Sequence, residues 1–347
     1  MSARRRLSAV GGRAPDLSRL LDLIAAFPRQ KIVVLGDFVV DEYVTGEISR
    51  VSREAPVLIL RHRQTEIVPG GGANAANNLM DLGARVFPVG VVGDDAPGEA
   101  LLDYFHRKGV DVSGIVRARA WTTTTKTRFL ARWTHTARQQ VLRVDREPTG
   151  KLPEEVARQI LRKARARIAK SDATIVSDYG AGAVTPELLR SMSWKMATLD
   201  SRYRMLDYRA ARFTAATPNE PELETLYHAQ IGHDRRKLES LGQKALRALG
   251  LQALLVTRGK DGMVLFERSK PPYEIGVYGN ADAVDVTGAG DTVIAVFTLA
   301  IAAGGSFVEA AHLANYAGGI VVMKRGTATV MRAELEAAVR GEATARP

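Results

Sequence analysis

The chain has 347 residues, 46% of them hydrophobic, enough for one large α/β core or two small ones. It contains no cysteine, which excludes disulfides, thiolate metal sites and a cysteine nucleophile. Its formal net charge of +11 raises the idea of a nucleic-acid partner, but aromatics make up only 6% and do not interleave with a basic stripe, so the charge is read as attraction for small anionic substrates and no nucleic acid is expected.

Arg4, Arg5 and Arg6 open a polar tail, and Leu7 to Pro15 offers no apolar stretch of the kind a signal peptide needs. The longest apolar run, Val293 to Ala303, falls well short of the roughly 18 residues that span a bilayer. A soluble, cytoplasmic protein with no membrane partner is expected.

An amphipathic helix over Leu17 to Phe27 precedes a compact apolar strand, Lys31 to Leu35, which ends in Gly36 and Asp37 with Asp41 four residues on. Polar residues just past the carboxyl end of a buried strand are where open α/β sheets hold ligands. Asp37 either ends the strand or touches substrate; Asp41 is the better candidate for gripping a pair of sugar hydroxyls. Ile48 to Leu60, Thr122 to Arg132 and Gln139 to Val144 alternate in polarity, with Arg50, Lys126, Arg128 and Arg143 among their charged positions. These stretches read as a small sheet standing off the main domain, either a lid that keeps water from the site or an edge sheet protected by charge or dimerisation.

Between them lies a glycine loop, Pro69 to Asn78, leading into a helix and the strand Val86 to Val92. Gly70, Gly72 and Ala75 satisfy the dinucleotide fingerprint GxGxxG/A, and Asp94 follows at about the 20-residue spacing that fingerprint expects. Against this, only Ile67 and Val68 precede the loop as strand, and Pro69 interrupts the ladder. The competing reading is that Gly70 and Gly71 admit a sugar close to the backbone while Asn74 bonds its hydroxyls. Further on, the helix around Arg158 to Lys170 turns Ala157, Leu161, Ala164 and Ile168 inward and its basic residues to solvent.

From Ala173 strands alternate with helices, which implies right-handed crossovers and a parallel sheet covered on both faces. Strands are expected over 173–177, 195–199, 213–216 and 253–256, with a helix over 186–192. Function should gather at the carboxyl edge of that sheet. There, Asn219, Glu220, Pro221 and Glu222 read as a capping box, as a carboxylate holding water on Mg²⁺, or as both. Thr257, Arg258, Gly259 and the residues to Gly262 form a turn that cradles nucleotide phosphates or a plain hairpin turn before Met263. In Asp285 to Asp291, the glycines at 288 and 290 flank Ala289 and open the apolar helix, so backbone amides at a helix mouth offer an anion hole. Asp291 caps that helix, or accepts a proton from a hydroxyl attacking a bound phosphate. No Walker loop, protein-kinase signature or nucleophile elbow is present.

Taken together and in that order, the glycine loop, the NxxE at 219–222 and the DxxGAGD at 285–291 resemble those of the ribokinase-like, or PfkB, carbohydrate kinases, over about residues 31 to 330. Within that family the chain looks most similar to the heptose 7-phosphate kinases of lipopolysaccharide precursor synthesis. Gly36 and Asp37 with Asp41, Ser49 and Arg50 with Glu54 to Pro56, Pro69 to Gly71 with Asn74, and Gln139 and Gln140 with Arg143 and Asp145 carry this closer likeness, and Ser177 to Tyr179, Thr217 to Asn219, Val256 to Arg258 and Lys324 with Gly326 and Thr327 extend it. The resemblance implies a three-layer α/β sandwich with a mainly parallel central sheet and a small β lid, ATP as donor, Mg²⁺, K⁺ at Asp285 and Thr287, and a homodimer formed through the lid. It makes Asp291 the general base and lets Lys126, Arg128, Arg143 or Arg202 recognise a distal phosphate.

Many such kinases are fused to a nucleotidyltransferase with an HxGH motif; this chain has no HxGH, so only the kinase step is expected. The loop Asp200 to Arg204 departs from the family's usual Asp-Pro-Lys-Gly. The expected reaction is phosphoryl transfer to the anomeric hydroxyl of D-glycero-D-manno-heptose 7-phosphate. The alternatives are another acceptor of the family (ribose, a fructose phosphate or a nucleoside) or an NAD-dependent oxidoreductase using Gly70 to Ala75. The expected organisation is a tail and short helix to residue 28, a kinase domain over 29–335 with lid strands near 43–62 and 121–145, and a tail over 336–347.

Overall fold

The computed structural model describes residues 9–10, 15–132, 138–279 and 283–341. The arginines at 4–6, the middle of the second lid segment and the last six residues lie outside them. In chain order the elements begin with β1 (Ala9–Val10), α1 (Leu17–Ala26), β2 (Lys31–Gly36), β3 (Phe38–Val51), β4 (Leu58–Gly71), α2 (Gly72–Asp81), β5 (Arg85–Gly93) and α3 (Ala96–Arg107). The middle of the chain adds β6 (Ile115–Ala118), β7 (Thr124–Arg132), β8 (Gln139–Arg146), α4 (Glu154–Ile168), β9 (Ala173–Asp178), α5 (Pro186–Leu189), β10 (Ala197–Ser201) and β11 (Ala215–Ala216). The last part holds α6 (Glu220–Tyr227), α7 (Arg235–Ala248), β12 (Ala253–Thr257), β13 (Met263–Glu267), β14 (Tyr273–Ile275), α8 (Ala289–Ala302), α9 (Phe307–Val321) and α10 (Arg332–Arg340).

Ten strands form the main sheet in the order β1-β14-β13-β12-β11-β10-β9-β2-β5-β6, parallel from β12 to β6 and antiparallel at the other end. Its central strands are continuous apolar runs because both faces are covered. Ile32 and Val34 of β2 join one buried cluster with α1, α2, α8 and α9, while Val33 and Leu35 join the other with α4 and α7. Alternate residues of β12 divide in the same way, Ala253 and Leu255 against Leu254 and Val256. The result is a helix–sheet–helix sandwich of three layers.

A second sheet, ordered β4-β3-β7-β8, stands off it. Its strands are longer than the alternation suggested, since β3 and β4 each have 14 residues and pair from Phe38 with Gly71 outward. Pro69 lies inside β4 rather than ending it. That strand is an edge, so a residue without an amide hydrogen is tolerated in the ladder. The pairing slips register between Thr45 and Gly46, between Ile48 and Arg50, and between Phe129 and Leu130. Strand β3 is buried near Phe38 to Asp41 and exposed towards Val51. Val51, Val57 and Leu58 at the outer end, and Val141, Leu142 and Val144 along the edge strand β8, are exposed apolar side chains.

Helix α4 buries Val156, Ile160, Ala164 and Ile168, while Ala157 and Leu161 are only partly covered. The inward stripe is therefore displaced from the expected one by about 100° of helix rotation at its start. Strand β11 and helix α5 are also shorter than the expected 213–216 and 186–192. Among the described residues no helix is long and apolar enough to cross a membrane.

Gly242 of α7 faces the Phe266 ring so closely that an added Cβ would overlap it. Alanine normally stabilises an exposed helix interior by about 1 kcal/mol over glycine, but overpacking a core costs about 1–3 kcal/mol. Gly242→Ala is therefore expected to lower the urea midpoint of unfolding rather than raise it.

Candidate active site

The carboxyl ends of the parallel strands and the root of the second sheet enclose a cavity of about 830 Å³. Helix α8 enters it amino end first. Gly288 is its N-cap, left-handed at φ 78°, and an added Cβ there would lie 2.6 Å from Asn74 Nδ2. Both the turn and the close approach require glycine. The Ala289 amide is bonded to Val286 O at 3.2 Å, and that of Thr292 to Gly288 O at 3.1 Å. Between them, the amides of Gly290 and Asp291 have no backbone acceptor among the described residues. An added Cβ at Gly290 would meet nothing within 4 Å. The amides without an acceptor at this helix mouth are therefore those of Gly290 and Asp291, where the expectation was Gly288 to Gly290.

Asp291 lines this cavity, is 2% exposed and does not cap its helix. Its Oδ2 accepts from Asn74 Nδ2 at 2.9 Å and its Oδ1 from the Tyr179 hydroxyl at 2.8 Å. Burial pushes its proton affinity up, the two hydrogen bonds oppose that, and the balance is a pKa of about 7. Asn74 is itself fully buried, held by Asn78 Nδ2, which donates to its backbone oxygen at 3.0 Å and to its Oδ1 at 3.3 Å. Its side chain thus bonds the Asp291 carboxylate, and unlike Gly71 it does not line the cavity.

Two further expectations shift. Asp37 is not in the cavity wall: its carboxylate accepts from the amides of Tyr179, Ala181 and Ala183, each at 2.9 Å, and clamps the loop after β9. Burial and then the nearby Asp178 raise its pKa to about 6. Gly70 also lies behind the wall, where an added Cβ would be 2.6 Å from Asp41 Oδ2, whereas Gly71 lines the cavity. Asp41 lines it too, but both its oxygens are engaged, one by Arg128 at 2.5 Å and the other by Thr327 Oγ1 at 2.7 Å. Thr327 in turn donates its amide to the Tyr43 hydroxyl at 3.0 Å, tying the lid's root to the loop after α9.

The four basic candidates all reach the cavity. Arg128 is spent on Asp41, and Arg143 makes two bonds of 2.9 Å to Asp145. Lys126 and Arg202 have no ion-pair partner among the described residues. Burial, then the charge of Arg202, lowers the pKa of Lys126. Two cations that repel one another across a cavity favour an anion between them.

On the opposite wall, Asn219 and Glu222 form the full capping box at the start of α6, Glu222 Oε2 accepting from the Asn219 amide at 2.9 Å. Both residues, with Glu220 and Pro221, line the cavity. The pKa of Glu222 is raised by burial despite that bond. Asp200, at the end of β10, is raised well above the carboxylate range by burial and then by Glu222 and Asp291. Among the described residues no group of three or more His, Cys, Asp or Glu side chains is placed to hold a metal ion by itself. Thr257 to Gly262 is the turn joining antiparallel β12 and β13, and it also lines the cavity. Arg258 there pairs with Glu220 at 2.7 Å. The side-chain oxygen of Thr217 is buried in this wall with no partner among the described residues.

Asp285 stands outside the wall while Thr287 lines it; the Asp285 carboxylate joins two loops by accepting from the amides of Thr287 at 3.0 Å and Gly326 at 2.9 Å. The dinucleotide reading fails on geometry. Its glycines follow an antiparallel lid strand, not a strand of the parallel sheet, and Asp94 is paired with Arg117 and Arg119. Tyr179 and Asp200 were missed as site residues, although both sit at carboxyl ends of parallel strands, the signal that selected Asp37.

Residues 29–334 match the family described as pfkB family carbohydrate kinase. The chain is 38% identical over 326 residues to the bifunctional protein HldE of Desulfatibacillum aliphaticivorans, covering 92% of this chain and 65% of that protein. It thus spans less than two thirds of that relative's length. Arabidopsis thaliana ribokinase, complexed with ribose and ATP, superposes with TM-score 0.68 at 20% identity over 90% of this chain and 99% of that one. Phosphofructokinase-2 of Escherichia coli, in complex with potassium, does so with TM-score 0.71 at 17% identity over 90% and 98%. Both likenesses show the ribokinase-like fold.

The raised pKa of Asp291 has a consequence for stability. Its folded value, about 7, lies above the ordinary aspartate value of 3.8, so the folded state is favoured by this group at low pH and loses that advantage as pH rises towards 7. Asp291→Asn removes the buried charge and should stabilise the protein at pH 8.5, by at most about 4 kcal/mol on a shift of this size. The gain should vanish by about pH 4. Denaturant unfolding of both proteins at the two pH values checks it.

Proposed function

The chain belongs to the pfkB family of carbohydrate kinases, and from that premise we propose that it transfers the γ-phosphoryl group of MgATP to the anomeric hydroxyl of D-glycero-D-manno-heptose 7-phosphate, giving the 1,7-bisphosphate. The observation that carries the chemistry is a buried carboxylate with a pKa near 7, set beside two unbonded amides at the mouth of α8. Asp291 takes the proton of the acceptor hydroxyl as its oxygen attacks the γ-phosphorus in line; the new O–P bond forms as the bond to the β-phosphate oxygen breaks and ADP leaves. The amides of Gly290 and Asp291, with the positive end of the helix dipole, hold the charge on the moving phosphoryl oxygens.

The wall formed by Asn219 to Glu222, Thr257 to Gly262 and the unpartnered Thr217 hydroxyl is suited to the nucleotide. Glu222, one oxygen of which remains outside the capping box, would hold Mg²⁺ through water. When bound, that ion supplies positive charge to the phosphate oxygens. Asp285 and Thr287 would hold a monovalent cation; in support, two amides keep the Asp285 carboxyl below the usual range against the opposing effect of burial.

A phosphorylated acceptor is supported by the two cations without an ion-pair partner among the described residues, Lys126 and Arg202, and these rather than Arg128 or Arg143 are proposed to bind its distal phosphate. The same reading includes a homodimer through the lid, whose exposed Val51, Val57, Leu58, Val141, Leu142 and Val144 a second copy would cover.

Release of ADP measured against heptose 7-phosphate, fructose phosphates, ribose and nucleosides tests the assignment, and turnover of unphosphorylated acceptors alone would overturn the substrate while leaving the mechanism. Asp291→Asn should lose roughly 10²–10⁴-fold in kcat yet still bind MgATP. Because the base acts ionised, kcat/KM should fall on the acid side of about pH 7. Lys126→Met should raise KM for a phosphorylated acceptor by about tenfold or more, with KM for MgATP little changed.

A further inference from the structure

Tyr179 is the one donor to Asp291 that also lines the cavity. Asn74, the other, is sealed in the core behind the base. Everything around Tyr179 serves to place its ring. Its amide, with those of Ala181 and Ala183, is bonded to the buried Asp37 carboxylate, so the loop carrying it is fixed to the end of β2. Gly71, at φ 54°, leaves room for the ring, since an added Cβ there would come within 3.2 Å of Tyr179 Cδ2. On the lid side the Lys126 ammonium lies 5.6 Å from the ring centroid, within cation–π range. A rigid ring held on three sides delivers its hydroxyl to Oδ1 of Asp291 at 2.8 Å.

We infer that Tyr179 is a positioning residue for phosphoryl transfer, which fixes the orientation of the Asp291 carboxylate and the pH at which it becomes a base. The inference rests on Asp291 being that base. With Asn74 on Oδ2 and Tyr179 on Oδ1, rotation of the carboxylate is blocked at both oxygens, and each oxygen keeps a lone pair for the incoming hydroxyl. A hydrogen bond donated to the ionised form also opposes the upward push of burial. Tyr179 is suited to a constant donor's part because burial, then Asp291 and Asp200, hold its own pKa well above the ordinary tyrosine value. It stays protonated wherever the base is ionised. The Asp37 clamp gives the positioning role a second handle, since its carboxylate bonds the Tyr179 loop and not Asp291 itself.

The test is the pH dependence of kcat/KM for the acceptor in Tyr179→Phe, which keeps the ring and removes only the hydroxyl. The acid limb should move up by about one pH unit, kcat at its plateau should fall about tenfold, and KM for MgATP should stay within about twofold of wild type. Asp37→Asn keeps the hydroxyl but unties its loop, and should move the limb the same way by less. A limb that stays at its wild-type pH in both variants overturns the inference, as does a Phe variant whose only change is a lower KM for the acceptor, the mark of a hydroxyl that merely fills the acceptor's place. Failure of the base assignment reads differently: Asp291→Asn would then retain turnover whatever Tyr179 does.

Discussion

A carboxylate kept out of water yet able to ionise near neutral pH is the constraint on which this structure turns. Burial alone would hold Asp291 protonated; two aimed hydrogen bonds, from Asn74 and Tyr179, bring its pKa back to about 7. Each donor needs its own support. Asn78 fixes Asn74 from the next turn of α2 and also accepts from Thr292 of α8 at 3.0 Å, so the two helices are locked by the polar residues that hold Asp291. Asp37 fixes the loop of Tyr179. Gly288 lets α8 begin with its backbone against Asn74. A buried polar network of this kind is favourable only when each member is satisfied, and here the members come from β2, α2, the loop after β9 and α8.

The sheet topology makes such a meeting possible. Parallel strands bring their carboxyl ends to one edge, so residues far apart in the chain share one wall, and β2 passes directly into β3 to carry the lid over it. The same edge gathers like charges. Burial and then Glu222 and Asp291 raise the proton affinity of Asp200, while Arg202 depresses Lys126 and also draws the pKa of Asp200 and Glu222 down. Charges crowded in this way at one cavity are a feature of ligand-binding sites.

What could be read from the chain beforehand follows the range of the interactions involved. The glycines of α8, the capping box at 219–222 and the alternation of strands and helices are local patterns, and they led to the layered α/β fold and to Asp291. The partners of Asp291 were out of reach. Asn74 lies 217 positions away and Tyr179 112, and no local pattern says where their side chains point. Local pattern accordingly offers Asn74 to a substrate hydroxyl and gives Tyr179 no role of its own. Asp37 illustrates the converse, a polar residue in the right place along a strand whose bonding capacity is wholly taken by three amides. In α4 the choice between the stripe starting at Val156 and that starting at Ala157 depends on how the helix rolls against the sheet, which composition does not reveal. Pro69 misled for a related reason, because whether a strand is an edge is a property of the sheet and not of the strand.

The slips of register in the second sheet divide it mechanically. Below Thr45 it is anchored through Asp41 to Arg128 and Thr327, and through Tyr43 to the same threonine. Beyond that point the pairing continues, but the strands emerge from the core and carry exposed residues. The sheet is thus a cantilever, clamped at its root. Its β3–β7 ladder runs unbroken past Gly46, so the slips in the outer pairings sharpen the twist of β4 and β8 against a continuous central pair.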